Sequence, residues 1–249
     1  MTGSAWQGLA ALAVFLGLLL LFAALGRRLP ATFRPIPAFE ALGRAIERAV
    51  EAGQRVHISL GTGSTVGQES APAFAGLAAL SSIARTTSMS DRPVVATTGD
   101  AAMAILARDT LRSAYQSVGA AERYEPTAGR LLAPTPFSYV AGLPLVLATE
   151  GVAVHMLTGS FGVEAALAAD FGERENAFVI AGTDDVQSQA LFFATAEYPL
   201  IGEEVFATGA YLEVGGLHTA SLRTQDVLRW AIIALILGGT LLSTFGVLR

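Results

Sequence analysis

The chain has 249 residues, of which 52% are apolar and only 15% charged. An average soluble domain is about 25% charged, so part of this chain belongs in lipid. It contains no cysteine and no lysine. That excludes disulfides, thiolate zinc sites, a cysteine nucleophile, a Walker-type phosphate-binding lysine, a Schiff base and a Ser-Lys dyad.

All 16 basic residues are arginine, and they are unevenly placed. Residues 36–222 hold 10 Arg against 20 Asp and Glu, a balance of −10. The other six, Arg27, Arg28, Arg34, Arg223, Arg229 and Arg249, lie at or near the two apolar ends. An acidic middle region repels phosphate backbones, so nucleic acid is not an expected partner.

Residues 5–25 form an uncharged run of 21, long enough to cross a hydrocarbon core as a helix. Trp6 suits one interface, and Arg27 and Arg28 stop the run at the other. No charged n-region precedes it, so a retained anchor is expected over a cleaved signal. Residues 230–248 form a second uncharged run of 19, edged by Arg229 and Trp230. Ala13 and Gly17, and likewise Gly239 and Ser243, are four apart and so share one helical face. The organisation expected is an anchor at 1–28, a Pro-rich linker at 29–37, an α/β domain at 38–222 and a second anchor at 223–249. Arginines crowd the domain-facing side of both spans. The positive-inside rule then puts the domain in the cytoplasm, with both termini outside the cytoplasmic (inner) membrane.

Within the domain, residues 38–52 have the period of an amphipathic helix, with Phe39, Leu42, Ile46, Ala49 and Val50 on one face. The stretch RVHISLGTGSTVG, residues 55–67, then runs from a strand (55–60) into a glycine-rich turn expected to open a helix. Strand two is predicted at 94–98, ending in Gly99-Asp100. Its helix turns Met103, Leu106, Leu111, Ala114 and Val118 inward. A weak third strand falls at 130–133. Residues 137–149 are apolar on all sides but too short for a span, and read as a buried helix. Strand four is predicted at 152–157 and strand five at 178–181, followed by Gly182-Thr183-Asp184-Asp185. Strand–helix alternation implies a Rossmann-like wound parallel sheet of about five strands, in the order 3-2-1-4-5.

Ligands of wound sheets bind beyond the carboxyl ends of the strands. Gly61, Gly63, Ser64 and Thr65 are therefore candidate binding residues, together with Asp100, Ser160, Asp184 and Asp185. Glycine-rich backbone at a helix start suits a nucleotide or other small anion, such as a phosphorylated metabolite. The same residues are also ordinary helix caps and turn formers. The dinucleotide fingerprint is imperfect: after Gly61 and Gly63 the third glycine falls at Gly67, one position late, and no acidic residue follows at the usual spacing. Gly159-Ser160-Phe161-Gly162 resembles a nucleophile elbow, but Thr158 breaks the G-x-S-x-G pattern. Asp184 and Asp185 could hold Mg²⁺ with Asp100, although helix capping accounts for both turns. His57 and His155 lie in strands one and four, neighbours in the expected order, and could face each other. A histidine inside a strand is more often a satisfied core group than a metal ligand.

Four stretches, SDRPVVATTGD, ARDTLRSAY, AFVIAGTDDVQSQALFF and PLIGEEVFATGAYL, together resemble an uncharacterised family of bacterial membrane-anchored proteins known only as a domain of unknown function. The resemblance spans about residues 39–226. It implies the anchored α/β organisation and transfers no catalytic residue. The function expected from the chain is a homo-oligomeric scaffold or a subunit of a membrane complex, with the bilayer and copies of itself or other subunits as partners. A nucleotide- or anion-binding domain is the alternative.

Overall fold

The computed structural model describes residues 3–26, 33–67 and 70–245. Arg27, Arg28, Arg249 and the first part of the linker lie outside them. The chain divides into two compact units: residues 1–34 with 215–249, and residues 35–214.

The first unit contains two helices, α1 (Gly3–Leu25) and α9 (Gly216–Thr244), which pack against each other. Both are long and apolar enough to cross a membrane. Their large apolar side chains, Trp6, Leu20, Trp230 and Leu235 among them, are exposed. This suits a lipid environment. A Cβ built on Gly17 or Gly239 would meet nothing within 4 Å. The small-residue faces are therefore not what joins α1 to α9. The second helix begins 14 residues before the uncharged run does. Its first turns are polar, and their periodicity is too weak to separate them from a loop by sequence.

The second unit is a six-stranded parallel sheet in the order β3-β2-β1-β4-β5-β6. The strands are β1 (Arg55–Gly61), β2 (Val95–Thr98), β3 (Gly129–Leu131), β4 (Val152–Ser160), β5 (Phe178–Gly182) and β6 (Tyr198–Leu200). The order is the expected one with a sixth strand added at the β5 edge. Pro199 lies in that strand, and an edge is where a sheet tolerates proline.

The helices form two layers. On one face, α2 (Pro37–Glu51), α3 (Ser70–Thr87) and α4 (Ala101–Ser117) bury Leu42, Ile46, Leu80, Ile83, Met103 and Leu111 against Val56, Ile58, Met156 and Ile180. The short helix α8 (Glu204–Tyr211) packs on α3 in the same layer. On the other face, α5 (Pro136–Glu150), α6 (Ala165–Arg174) and α7 (Val186–Thr195) bury Tyr139, Val140, Leu143, Ala168, Ala169 and Phe192 against Leu157, Val179 and Ala181. Alternation along each strand makes this division, because successive side chains point to opposite faces.

Two expectations change. Helix α5 is not buried on all sides: Phe137, Ala141, Leu145 and Ala148 face outward at helical spacing. Val118 caps the end of α4 and is exposed instead of inward.

The carboxyl ends of β1 and β4 approach closely. Gly61 has φ +69° and faces the backbone of Ser160, and Gly159 faces the carbonyl of Leu60. The Thr62 amide donates to the Ser160 carbonyl (3.1 Å), and the Gly99 amide donates to the Gly61 carbonyl (2.8 Å). At Gly61 an L side chain would combine left-handed backbone strain with a backbone collision. Gly61→Ala should therefore lower the stability of the domain by at least about 2 kcal/mol. Gly53→Ala, at φ +63° in open space, should cost only about 1 kcal/mol. Urea denaturation of both variants measures the difference.

Candidate functional site

The sheet reverses its winding between β1 and β4, and a crevice of about 510 Å³ opens beside that point. Its lining comes from the segments after β1, β4 and β5, together with the start of α5: Thr62, Pro136, Ser160, Phe161, Gly162, Val163, Asp184, Asp185 and Gln187. A switch point at the carboxyl edge is where open α/β sheets bind ligands.

Of the residues proposed from sequence, Ser160, Asp184 and Asp185 line the crevice, and Gly61 packs beneath Ser160. Gly63, Ser64, Thr65 and Asp100 are not part of its lining. The glycine-rich turn does not lead directly into a helix, since residues 62–67 are not helical; α3 is described from Ser70. Ser64 Oγ accepts from the amide of Val66 (3.3 Å). Asp100 Oδ1 accepts from the amide of Met103 (2.8 Å), which makes it the N-cap of α4. Asp185 Oδ2 accepts from the Ser188 amide (2.8 Å) and caps α7 in the same way.

Ser188, which no sequence motif singles out, ties this corner together. Its hydroxyl lies 2.7 Å from both Asp185 Oδ2 and the Phe161 carbonyl. These bonds from Ser188 hold the Asp185 carboxyl below its ordinary pKa, so it stays ionised. Asp184 is exposed beside it. The crevice therefore presents two carboxylates and the hydroxyl-bearing side chains of Thr62 and Ser160, and no basic side chain lines it. That field favours a cation or a hydrogen-bonding neutral group over a phosphate. Among the described residues, no three His, Asp or Glu side chains converge as a metal site. Ser160 is not on an elbow, because α6 begins only at Ala165.

A second constellation lies inside the domain, under α5. His57 on β1 and His155 on β4 are register partners. Their rings stack with centroids 4.9 Å apart, and their Nδ1 atoms are 2.8 Å apart. His57 Nε2 is 2.9 Å from Thr97 Oγ1 on β2. Thr97 Oγ1 is 2.7 Å from the hydroxyl of Tyr139 on α5, and that hydroxyl is 2.5 Å from Ser59 Oγ on β1. All five side chains are fully buried. Alternation again explains the cluster: His57 and Ser59 are two apart on β1, and Thr97 and His155 face the same layer. Ser59, Thr97 and Tyr139 escape a reading by motif because they are far apart in sequence. The one available signal is Tyr139, whose hydroxyl falls in a largely apolar stretch.

The chemistry of the cluster is set by its seal. One Nδ1 must donate and the other accept, so one proton lies between the rings, and each neutral imidazole carries one N–H in all; among the described residues the buried Nε2 of His155 has no hydrogen-bond partner. Burial lowers the His155 pKa to about 4, although the backbone of Ala168 opposes this weakly. Burial, then the charges of His155 and Arg130, lowers that of His57 well below the ordinary value. Burial likewise pushes the Tyr139 hydroxyl up to about 12, against the hydrogen bonds from Ser59 and Thr97. The network is thus neutral at ordinary pH.

The sequence matches the profile of a family described as a domain of unknown function (DUF6754) over residues 2–249. The chain belongs to that family. The match takes in both apolar helices as well as the domain between them. No curated protein and no solved structure matches the chain. What this DUF6754 protein does must therefore be read from its own geometry, since a wound sheet hosts many functions.

The buried pair sets a pH dependence. Folded His155 and His57 have depressed pKa values, whereas the unfolded chain takes up their protons near pH 6.5. Their contribution to stability is therefore complete above about pH 6.5 and is lost as pH falls toward 4. His155 alone should account for a loss on the order of 3 kcal/mol by pH 4. Urea midpoints between pH 7 and pH 4.5 should fall steadily, and His155→Gln, which cannot charge, should flatten the slope. An unchanged midpoint over that range would show that the pair titrates normally in the fold.

Proposed function

We propose that the protein is a membrane-anchored assembly module, either a homo-oligomeric scaffold or a subunit of a membrane complex, with an α/β domain that runs no reaction of its own. The observation that carries this reading is the sealed network of His57, His155, Thr97, Tyr139 and Ser59. These are the side chains best equipped for proton transfer. They close on one another beneath α5 and do not open onto the crevice. Spending such groups in the core gives a unique packing of β1, β2, β4 and α5, which suits a part that must hold its shape.

The same reading places the domain on the cytoplasmic side of the inner membrane with both termini outside, following the positions of Arg34, Arg223 and Arg229. Protease added to intact cells should then leave the domain uncut, and added to inverted vesicles should cleave it. The full chain in mild detergent should run as a uniform assembly larger than one chain by light scattering with detergent subtraction. A monodisperse monomer would sink the assembly reading.

A second reading, ligand binding, is favoured by the position of the crevice at the switch point. The carboxylates of Asp184 and Asp185 make a small amine or polyol a better fit there than the nucleotide or phosphorylated metabolite that a glycine-rich turn suggests. In a thermal-shift screen an amine-bearing ligand should then raise Tm, and Asp184→Asn should abolish the rise. If neither amines, polyols nor nucleotides move Tm, the crevice is a surface feature of the scaffold.

A further inference from the structure

The outward side of the α5–α6–α7 layer is apolar to a degree that the opposite layer is not. Helix α5 has no charged residue before Glu150, and α7 has none at all. Phe137 and Leu145 on α5, Val163 and Leu167 at α6, and Val186 and Phe193 on α7 are 60, 69, 62, 44, 77 and 71% exposed. By contrast α2 exposes Glu40, Arg44, Glu47, Arg48 and Glu51, and α4 exposes Arg108, Asp109 and Arg112. The three helices of the apolar layer are neighbours, since α6 packs on both α5 and α7. Their charged residues are Glu150 at the last position of α5 and Asp170, Glu173 and Arg174 in the second half of α6, where Arg174 pairs with Asp170 (2.6 Å).

A whole aromatic side chain presents about 150–250 Å² and an aliphatic one somewhat less, so six at these exposures present roughly 600 Å² of apolar surface. A standard interface takes about 800 Å² from each partner, of which a little over half is apolar. The face is therefore large enough for one full interface, and it lies at the upper end of what a monomer leaves uncovered.

We propose that this face docks a second copy of the same chain, α5 and α7 of one protomer against α5 and α7 of its partner about a two-fold axis. The proposal rests on the assembly reading above and names its surface and partner. Three observations select the occupant. The domain carries a balance of −10 over residues 36–222, so copies repel one another least where charge is sparse, and the outward stripes of α5 and α7 carry none, Asp184 and Asp185 lying just before α7 and the charges of α6 near its carboxyl end. A bilayer surface selects basic and amphipathic residues, and no arginine lies on α5 or α7. Both ends of the domain leave from the opposite layer. Phe39, near its start, stacks on Tyr211, near its end, at 4.9 Å, and Ser82 on α3 donates to the Leu212 carbonyl (2.6 Å). Anchoring in one plane also raises the effective concentration of copies, so that a modest interface suffices.

The chain has no cysteine, so single introduced cysteines report directly. In native membranes, Leu145→Cys or Phe193→Cys should form a cross-linked dimer with a short bifunctional maleimide. Ile105→Cys, equally exposed but on α4, should not. The full-length double variant Leu145→Glu/Phe193→Glu in mild detergent should fall to half the wild-type mass or less, with Tm within a few degrees of wild type. If the wild type is an assembly whose mass the double variant keeps, and position 105 cross-links as well as 145 and 193, the face is wrong and the assembly reading stands. A wild-type monomer overturns both.

Discussion

The pairing of β1 with β4 is the constraint on which the domain depends. These strands come from opposite halves of the chain, and the register contact between His57 and His155 spans 98 residues. The strands that precede β4 in the chain, β2 and β3, lie to one side of β1, and those that follow it, β5 and β6, lie beyond β4 on the other. The seam is closed at its carboxyl end by Gly61 and Gly159, where no side chain fits between the two backbones. Its middle is held by the histidine pair. Because the seam is also the switch point, the same pairing opens the crevice at Thr62 and Ser160.

The two faces of the sheet are stabilised in different ways. Beneath α2, α3 and α4 the core is apolar throughout and follows the simple rule of apolar area removed from water. Beneath α5 a polar chain from Ser59 through Tyr139 and Thr97 to the two imidazoles runs across three strands and one helix. Each member of that chain would be costly to leave unpaired in the interior, so the network specifies one packing more sharply than an aliphatic core would. The outer surfaces differ in the opposite sense. The layer over the apolar core is charged, whereas the layer over the polar core is bare of charge along α5 and α7.

The sequence alone determined the strand–helix alternation, the parallel wound sheet and the two apolar helices. Local periodicity and turn chemistry act over fewer than 20 residues, and those rules are legible without tertiary contacts. It also placed His57 and His155 in neighbouring strands, because sheet order follows from crossover rules. It could not place β6, where Pro199 argues against a strand and only the edge position permits one. It could not find the true start of α9, whose first turns are polar. Within the candidate site, Asp184, Asp185 and Ser160 were legible as residues at strand ends. The cap roles of Asp100 and Asp185 were also legible, as ordinary residues at helix starts. That Ser188 ties Asp185 to the Phe161 carbonyl, and that Ser59, Thr97 and Tyr139 meet the histidines, was decided only by the tertiary structure. So was the outward face of α5: a stretch apolar on every side does not say which side the sheet will cover. The physical reason is the same in each case. Hydrogen bonds between residues 27 to 98 positions apart, and the exposure of one helical stripe over another, depend on which strand lies beside which, and the β1–β4 register fixes that only once the whole sheet has formed.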